Sequence, residues 1–160
     1  MLEDVTRQID ETVTRMMNQV GEAIANRMRV ELMEGDHIDT GNLLNSIRHE
    51  TETSEDAVTT TIYADAANEK GTQYGEFIEM GTGIYRIGGG GRTEPWTYYS
   101  PSLDRFVTTE GMEADPFMEP ALAHVMDGEE YEELVTDLLD TVGAVFAERI
   151  ADVYGGGTND

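Results

Sequence analysis

Apolar residues along this chain recur first at helical spacing. Leu2, Val5, Ile9, Val13, Met16, Val20, Ile24, Met28 and Leu32 follow one another at intervals of three and four, which predicts one long amphipathic helix over 2–34, ended by Gly35. At 1.5 Å per residue such a helix is a rod of roughly 48 Å, more than a chain of this size needs for its own core. Part of its apolar stripe is therefore expected to meet another subunit. A second helical pattern over 129–154 places Tyr131, Leu134, Leu138, Val142, Val145, Phe146, Ile150 and Val153 on one face and most of the acids on the other. The tail 155–160 reads as frayed.

Between the two helices the period changes. Leu43, Leu44 and Ile47 share a face of a short helix, for which Asp39 or Thr40 supplies an N-cap and Gly41 a tight entry. Residues 48–54 alternate weakly and 57–64 are rich in β-branched residues, predicting two strands joined at Glu55-Asp56. Tyr74, Phe77 and Ile78 return to helical spacing, with Gly81 placed as the left-handed residue after that helix. Gly88 to Gly91 break any regular element. Residues 94–99 and 105–109 read as two strands joined around Pro101-Ser102, and Ala121 to Met126 as a short helix with Pro120 at its first position. The predicted fold is α+β: long N- and C-terminal amphipathic helices on a small, mainly antiparallel sheet. At 160 residues it is expected to form a single domain over 1–154, with the α+β core at 36–126.

Charge changes the picture most. The chain has 33 Asp and Glu against 10 Lys and Arg, a net −23, and only one of those bases, Lys70, is a lysine. A surface of this sign repels duplex DNA and argues against phosphate neutralisation by a basic patch. Two readings of the acidity stand together. One is adaptation to a salt-loving host, where a Debye length of about 3 Å at 1 M screens the repulsion. The other is a functional negative surface, such as a channel wall along which DNA slides without sticking. The charge is uneven: residues 81–112 sum to zero while every other part of the chain is negative. That neutral window holds Tyr85, Arg86, Arg92, Trp96, Tyr98, Tyr99, Arg105 and Phe106, the aromatic-plus-arginine composition enriched at interface centres. It reads either as a contact loop or as an ordinary hairpin whose aromatics cap the core.

Candidate chemistry is sparse. There is no cysteine, hence no disulfide, thiolate metal site or cysteine nucleophile. Gly81-x-Gly83 lacks the strand, helix and Lys-Ser/Thr context of a phosphate loop. His37, His49 and His124 show no metal-site spacing, and Asp36, His37 and Asp39 do not match a calcium loop. Ser46, Ser54, Ser100 and Ser102 lack a nucleophile elbow, and no acid pair is singled out for general acid and base work. No run approaches the roughly 18 apolar residues of a membrane span, and Met1 to Asp10 carries no secretory pattern. The chain reads as a soluble non-enzyme with no cofactor and no metal.

Three glycine- or proline-bounded motifs occur in order: Asp39-Thr40-Gly41-Asn42-Leu43-Leu44-Asn45-Ser46-Ile47, then Tyr74-Gly75-Glu76-Phe77-Ile78-Glu79-Met80-Gly81-Thr82-Gly83, then Pro116-Phe117-Met118-Glu119-Pro120-Ala121-Leu122. Together, over roughly residues 38–125, they resemble the gene-product-ten-like neck, or tail-completion, proteins of long-tailed double-stranded DNA viruses. Asp39, Thr40, Gly41, Leu43, Ser46, Ile47, Glu79, Gly81, Thr82, Gly83, Pro116, Phe117, Pro120 and Leu122 carry the likeness. Most of these positions are expected to fix the fold. Glu79, a carboxylate just before a glycine turn, is the one expected to touch a partner.

The resemblance implies a virion protein of the head-tail neck, made in the host cytoplasm. It implies a homo-oligomeric ring, sixfold by analogy, with a connector or stopper ring on the portal side and a tail terminator or tail tube on the other. DNA would pass through the lumen without specific binding, and no membrane is involved. This chain is far more acidic than the likeness requires. A tail terminator or minor tail protein of the same virus would share the layout, and an acidic DNA mimic that binds a basic host protein is the alternative of another class.

Overall fold

The computed structural model describes residues 2–35, 41–67, 71–100 and 103–154. The fold is α+β, with long N- and C-terminal helices and two small antiparallel two-stranded sheets. In chain order it has α1 (Leu2–Glu34), α2 (Gly41–Ser46), β1 (Ile47–Thr53), β2 (Val58–Ala64), α3 (Gly75–Met80), a single 3-10 turn (Gly83–Tyr85), β3 (Trp96–Ser100), β4 (Arg105–Thr109), α4 (Met118–Met126) and α5 (Glu129–Tyr154). Among the described residues no helix is long and apolar enough to cross a membrane. Asp39 and Thr40, the expected caps of α2, lie outside the described residues, as do His37, Lys70, Pro101-Ser102 and the tail 155–160.

One detail of the expected sheet differs here. The strands form two separate hairpins, β1–β2 and β3–β4, in place of one small sheet. By its internal contacts the chain divides into two compact units. The first comprises residues 1–27, 48–62 and 122–160, the second 28–47 and 63–121. Both units contain part of α1, the first up to Arg27 and the second from Met28 on.

In the first unit, α1 and α5 share small clefts that reveal an antiparallel pairing: Val5 and Gln8 sit with Val145 and Arg149, Thr12 and Met16 with Leu134 and Leu138. Met16, Val20 and Ile24 are buried along α1. The β1–β2 hairpin crosses another side of the same helix through polar contacts. Thr60 Oγ1 donates to the Met17 carbonyl at 3.1 Å and also meets Thr51 Oγ1 at 2.8 Å. His49 Nε2 lies 3.2 Å from Asn18 Oδ1, and the hydroxyls of Thr14 and Thr53 meet at 2.9 Å. The hairpin approaches this closely because α1 has a glycine at the crossing: a Cβ on Gly21 would lie 2.5 Å from Thr60 Cγ2 and 2.9 Å from His49 Cδ2. A glycine inside a helix costs about 1 kcal/mol relative to alanine, so the contact it permits must return at least that much.

In the second unit the end of α1 supplies Met28 and Leu32 to a core completed by Leu43, Ile47, Ala66, Ile78, Phe117 and Ala121. Arg29 ties α1 to the start of β1 by donating to the Ile47 carbonyl, and Ser46 Oγ donates to the Leu43 carbonyl at 2.8 Å to close α2. Gly41 has no steric need for glycine, since a Cβ there would meet nothing within 4 Å. Gly75 does, with Ala64 O at 3.1 Å and Leu43 Cδ1 at 3.3 Å from such a Cβ.

Two glycine substitutions separate propensity from packing. Gly21→Ala gains about 1 kcal/mol of helix propensity yet meets the stiff, doubly bonded Thr60, and a net loss of about 1–3 kcal/mol is expected. Gly143→Ala, in α5 with nothing within 4 Å, is expected to stabilise by up to about 1 kcal/mol. Urea unfolding of both variants at one fixed salt concentration measures the two signs.

Candidate functional site: an aromatic hairpin on a glycine junction

The second motif builds the junction. Helix α3 runs into Gly81, whose φ of 72° and ψ of 177° fall in a region essentially closed to residues with a Cβ. The positive φ was expected; the extended ψ was not, and it turns the chain straight instead of winding it back as a left-handed cap would. Thr82 N–H then donates to the Met112 carbonyl at 2.9 Å, Ile84 N–H to the Glu110 carbonyl at 3.0 Å, and Ile87 N–H to the Met80 carbonyl at 2.8 Å. Thr82 Oγ1 accepts from Met112 N–H at 2.9 Å. The segments 81–84 and 110–112 thus lie backbone against backbone. A Cβ on Gly83 would lie 1.9 Å from Glu110 O, and one on Gly111 2.0 Å from Thr82 O, so both glycines are there for close approach.

Glu79 closes the junction, in a bonding role within the chain that its place before a glycine turn did not suggest. Its Oε2 accepts from Phe117 N–H at 2.7 Å and Met118 N–H at 2.9 Å, and its Oε1 from Glu119 N–H at 3.0 Å. These are first-turn donors of α4 that no helical carbonyl reaches, and the next residue, Pro120, has no N–H to satisfy. One carboxylate and one proline therefore account for the whole exposed turn, with the negative charge at the positive end of the helix. This explains why α4 starts at Met118, three residues before the predicted Ala121, and why Pro120 sits at the third helical position instead of the first. Phe117, 1 % exposed, drops into the core directly below the clasp, and the Asp115 N–H to Ile78 carbonyl bond at 2.9 Å adds a second tie to α3. Pro116 is half-buried before it, while Leu122 of the same motif faces outward.

The junction carries the neutral window at its open end. Strands β3 and β4 pair antiparallel, with Trp96 opposite Thr109, Tyr98 opposite Val107 and Tyr99 opposite Phe106. Opposed residues share a face, so Trp96 and Tyr98 lie on one side, Tyr99 and Phe106 on the other. Neither side is covered: Tyr98 and Tyr99 are each 47 % exposed and Phe106 is 73 % exposed. The reading in which these aromatics cap the core is thereby set aside. They stiffen the hairpin itself, with Tyr99 and Phe106 edge to face at 5.5 Å, Arg92 stacked 5.5 Å over the Trp96 ring, and the Thr97 and Thr108 hydroxyls 2.8 Å apart. Asp104, at a φ of 50°, turns the chain in a conformation that Asp tolerates better than most residues, and its carboxylate accepts from the Tyr99 hydroxyl. That bond, with a lesser contribution from burial, raises the Tyr99 phenol above its ordinary value. Arg86 is half-buried and paired with Glu76, which holds the glycine-rich loop to α3; Tyr85 beside it and Arg105 at the start of β4 are exposed.

Nothing else among the described residues gathers groups for chemistry. A cavity of about 860 Å³ beside α1 and β1 is an open groove lined by threonines, Asn18, Arg15, the acids Glu3, Asp10 and Glu11, and an Arg7 already bonded to Asp4 and Glu11. Among the described residues no group of three or more His, Asp or Glu could hold a metal ion.

Glu79→Gln keeps the shape and loses the charge; a destabilisation of about 1–3 kcal/mol is expected from weakening hydrogen bonds to a charged acceptor, read by urea unfolding, with Glu79→Ala costing more. Asp104→Asn is expected to lower the Tyr99 titration toward the ordinary phenol value of about 10, followed by ultraviolet absorbance. Because the folded phenol holds its proton more tightly than the unfolded one, its contribution to stability is present below the unfolded pKa and is lost as pH rises through the folded value. No protein-family model, curated protein or solved structure that was compared matches this chain.

Proposed function

We propose that this chain is a structural protein of a viral head-tail neck: a tail-completion or connector subunit that closes into a ring, joins the DNA-filled head to the tail and lines the DNA passage with carboxylates. The observation that carries the reading is the β3–β4 hairpin, which displays three aromatic rings with no core to cover and is held in place by the motif residues on which the family resemblance rests. A surface built this way, desolvated only when a partner arrives, suits protein association. A net charge of −23 suits a lumen that DNA crosses without adhering, since phosphates find few cations there. Assembly needs no covalent step, because a contact repeated around a ring multiplies modest affinities into a stable joint. The acidic DNA mimic accounts for the charge but leaves the aromatic hairpin without a use, so the neck reading is preferred.

A virus lacking this gene is expected to accumulate full heads and separate finished tails in negative-stain micrographs. Intact normal virions would discard the neck role. Tyr98→Ala and Phe106→Ala together, both at exposed positions of the hairpin, are expected to reduce head–tail joining while leaving the monomer's circular dichroism unchanged; normal joining by that double variant would remove the hairpin from the account.

A further inference from the structure

Helix α5 has two apolar faces. At about 100° per residue, Leu134, Leu138 and Val145 lie together on the face that shares clefts with α1. Leu139, Phe146, Ile150 and Val153 form a second stripe roughly a quarter turn round the helix, and it is open: Leu139 is 65 %, Ile150 59 % and Val153 60 % exposed. No residue of α5 is fully buried. The helix carries eight acids and one base, so any surface that covers the stripe must be apolar and must not be acidic. On a chain of −23 few surfaces qualify. The β3–β4 hairpin does: it belongs to the stretch of zero net charge, which holds three of the ten bases, and its faces end in Tyr98, Tyr99 and Phe106. The lengths also agree, since five strand residues span about 17 Å and the stripe from Leu139 to Val153 about 21 Å.

We infer that the β3–β4 hairpin of one copy docks on the outer stripe of α5 in the next copy, with Phe106 and Tyr99 against Phe146 and Ile150 and with Arg105 facing carboxylates beside the stripe. The two surfaces differ, so the contact is head-to-tail, the kind that closes into a ring or runs on as a filament. It rests on the ring reading above and names the two surfaces that meet. Copies of this charge repel one another at a distance, so association is expected to be weak in dilute buffer and to strengthen near 1 M salt, where the Debye length falls to about 3 Å.

The absence of cysteine makes the test direct. Phe106→Cys and Ile150→Cys are prepared as separate variants, both at exposed positions where the fold tolerates a small side chain, and are mixed at about 1 M potassium chloride under mild oxidation. The expected product is a disulfide dimer that joins one variant to the other, well in excess of either homodimer; mass spectrometry of the linked peptides identifies it. A chain carrying both changes is expected to give a reducible ladder of multimers. An Ile150→Cys homodimer as the main product would show α5 pairing with itself and overturn the inference. So would absence of any linkage from protein that runs as a monomer in light scattering. Either failure, with heads and tails still unjoined in the virus lacking the gene, removes this pairing of surfaces and leaves the neck role standing. A mixed disulfide between the purified variants, with normal virions from the virus lacking the gene, keeps the pairing and removes the neck.

Discussion

The carboxylate of Glu79 is the interaction on which the second unit turns. It stands at the end of α3, accepts three backbone N–H groups from the start of α4, and so fixes two segments almost forty residues apart in sequence. Everything between them hangs from this clasp. The chain leaves through Gly81 and Gly83 and returns through Glu110 to Met112, and the two passages are bonded to each other so closely that no side chain fits between them. A hairpin anchored at both ends in this way can present bare aromatic rings to solvent without folding back on the body of the protein. The unfavourable exposure is held in place by the backbone hydrogen bonds that join the two passages.

The first unit follows a different logic. Its hairpin meets α1 through threonine hydroxyls, an imidazole and a helix carbonyl, with a glycine providing the clearance. Polar contact of this sort adds less free energy than apolar burial but fixes register, because hydrogen bonds hold only over a narrow range of distance and angle. The result is one long helix that meets a strand pair on one side and an antiparallel helix on another within the first unit, while its last turns belong to the core of the second.

This division explains what was legible in the sequence. The long helices have a strong period, and the bounds of α1 and α5 follow from it closely. The turn at Glu55-Asp56 and the two strand pairs were legible from β-branched content. The alternation of β1 was weak because its inward residues include His49 and Thr51 in place of aliphatics. Gly21 gave no signal as a crossing point, since a glycine in a helical pattern looks like a tolerated defect until the strand above it is known. The role of Glu79 was hidden for a similar reason: its partners are backbone N–H groups from a segment far along the chain, and backbone donors have no letters. The two faces of α5 read as one because Val142 and Phe146 link them in the heptad-like count. The aromatic window stood out by composition, but only the exposure of both its faces separates a contact element from a cap on the core.

The central claim is that the Glu79-to-Gly83 motif is an internal clasp that is complete in the isolated chain. Native-state hydrogen exchange of the purified protein tests it most directly. The amides of Thr82, Ile84, Met112, Phe117, Met118 and Glu119 are predicted to exchange slowly and together, with the same opening free energy as amides of the core segment around Ile78. Exchange of these amides at the rate of an exposed loop, with protection appearing only when partner proteins are added, would contradict the account and return Glu79 to the surface as a contact residue.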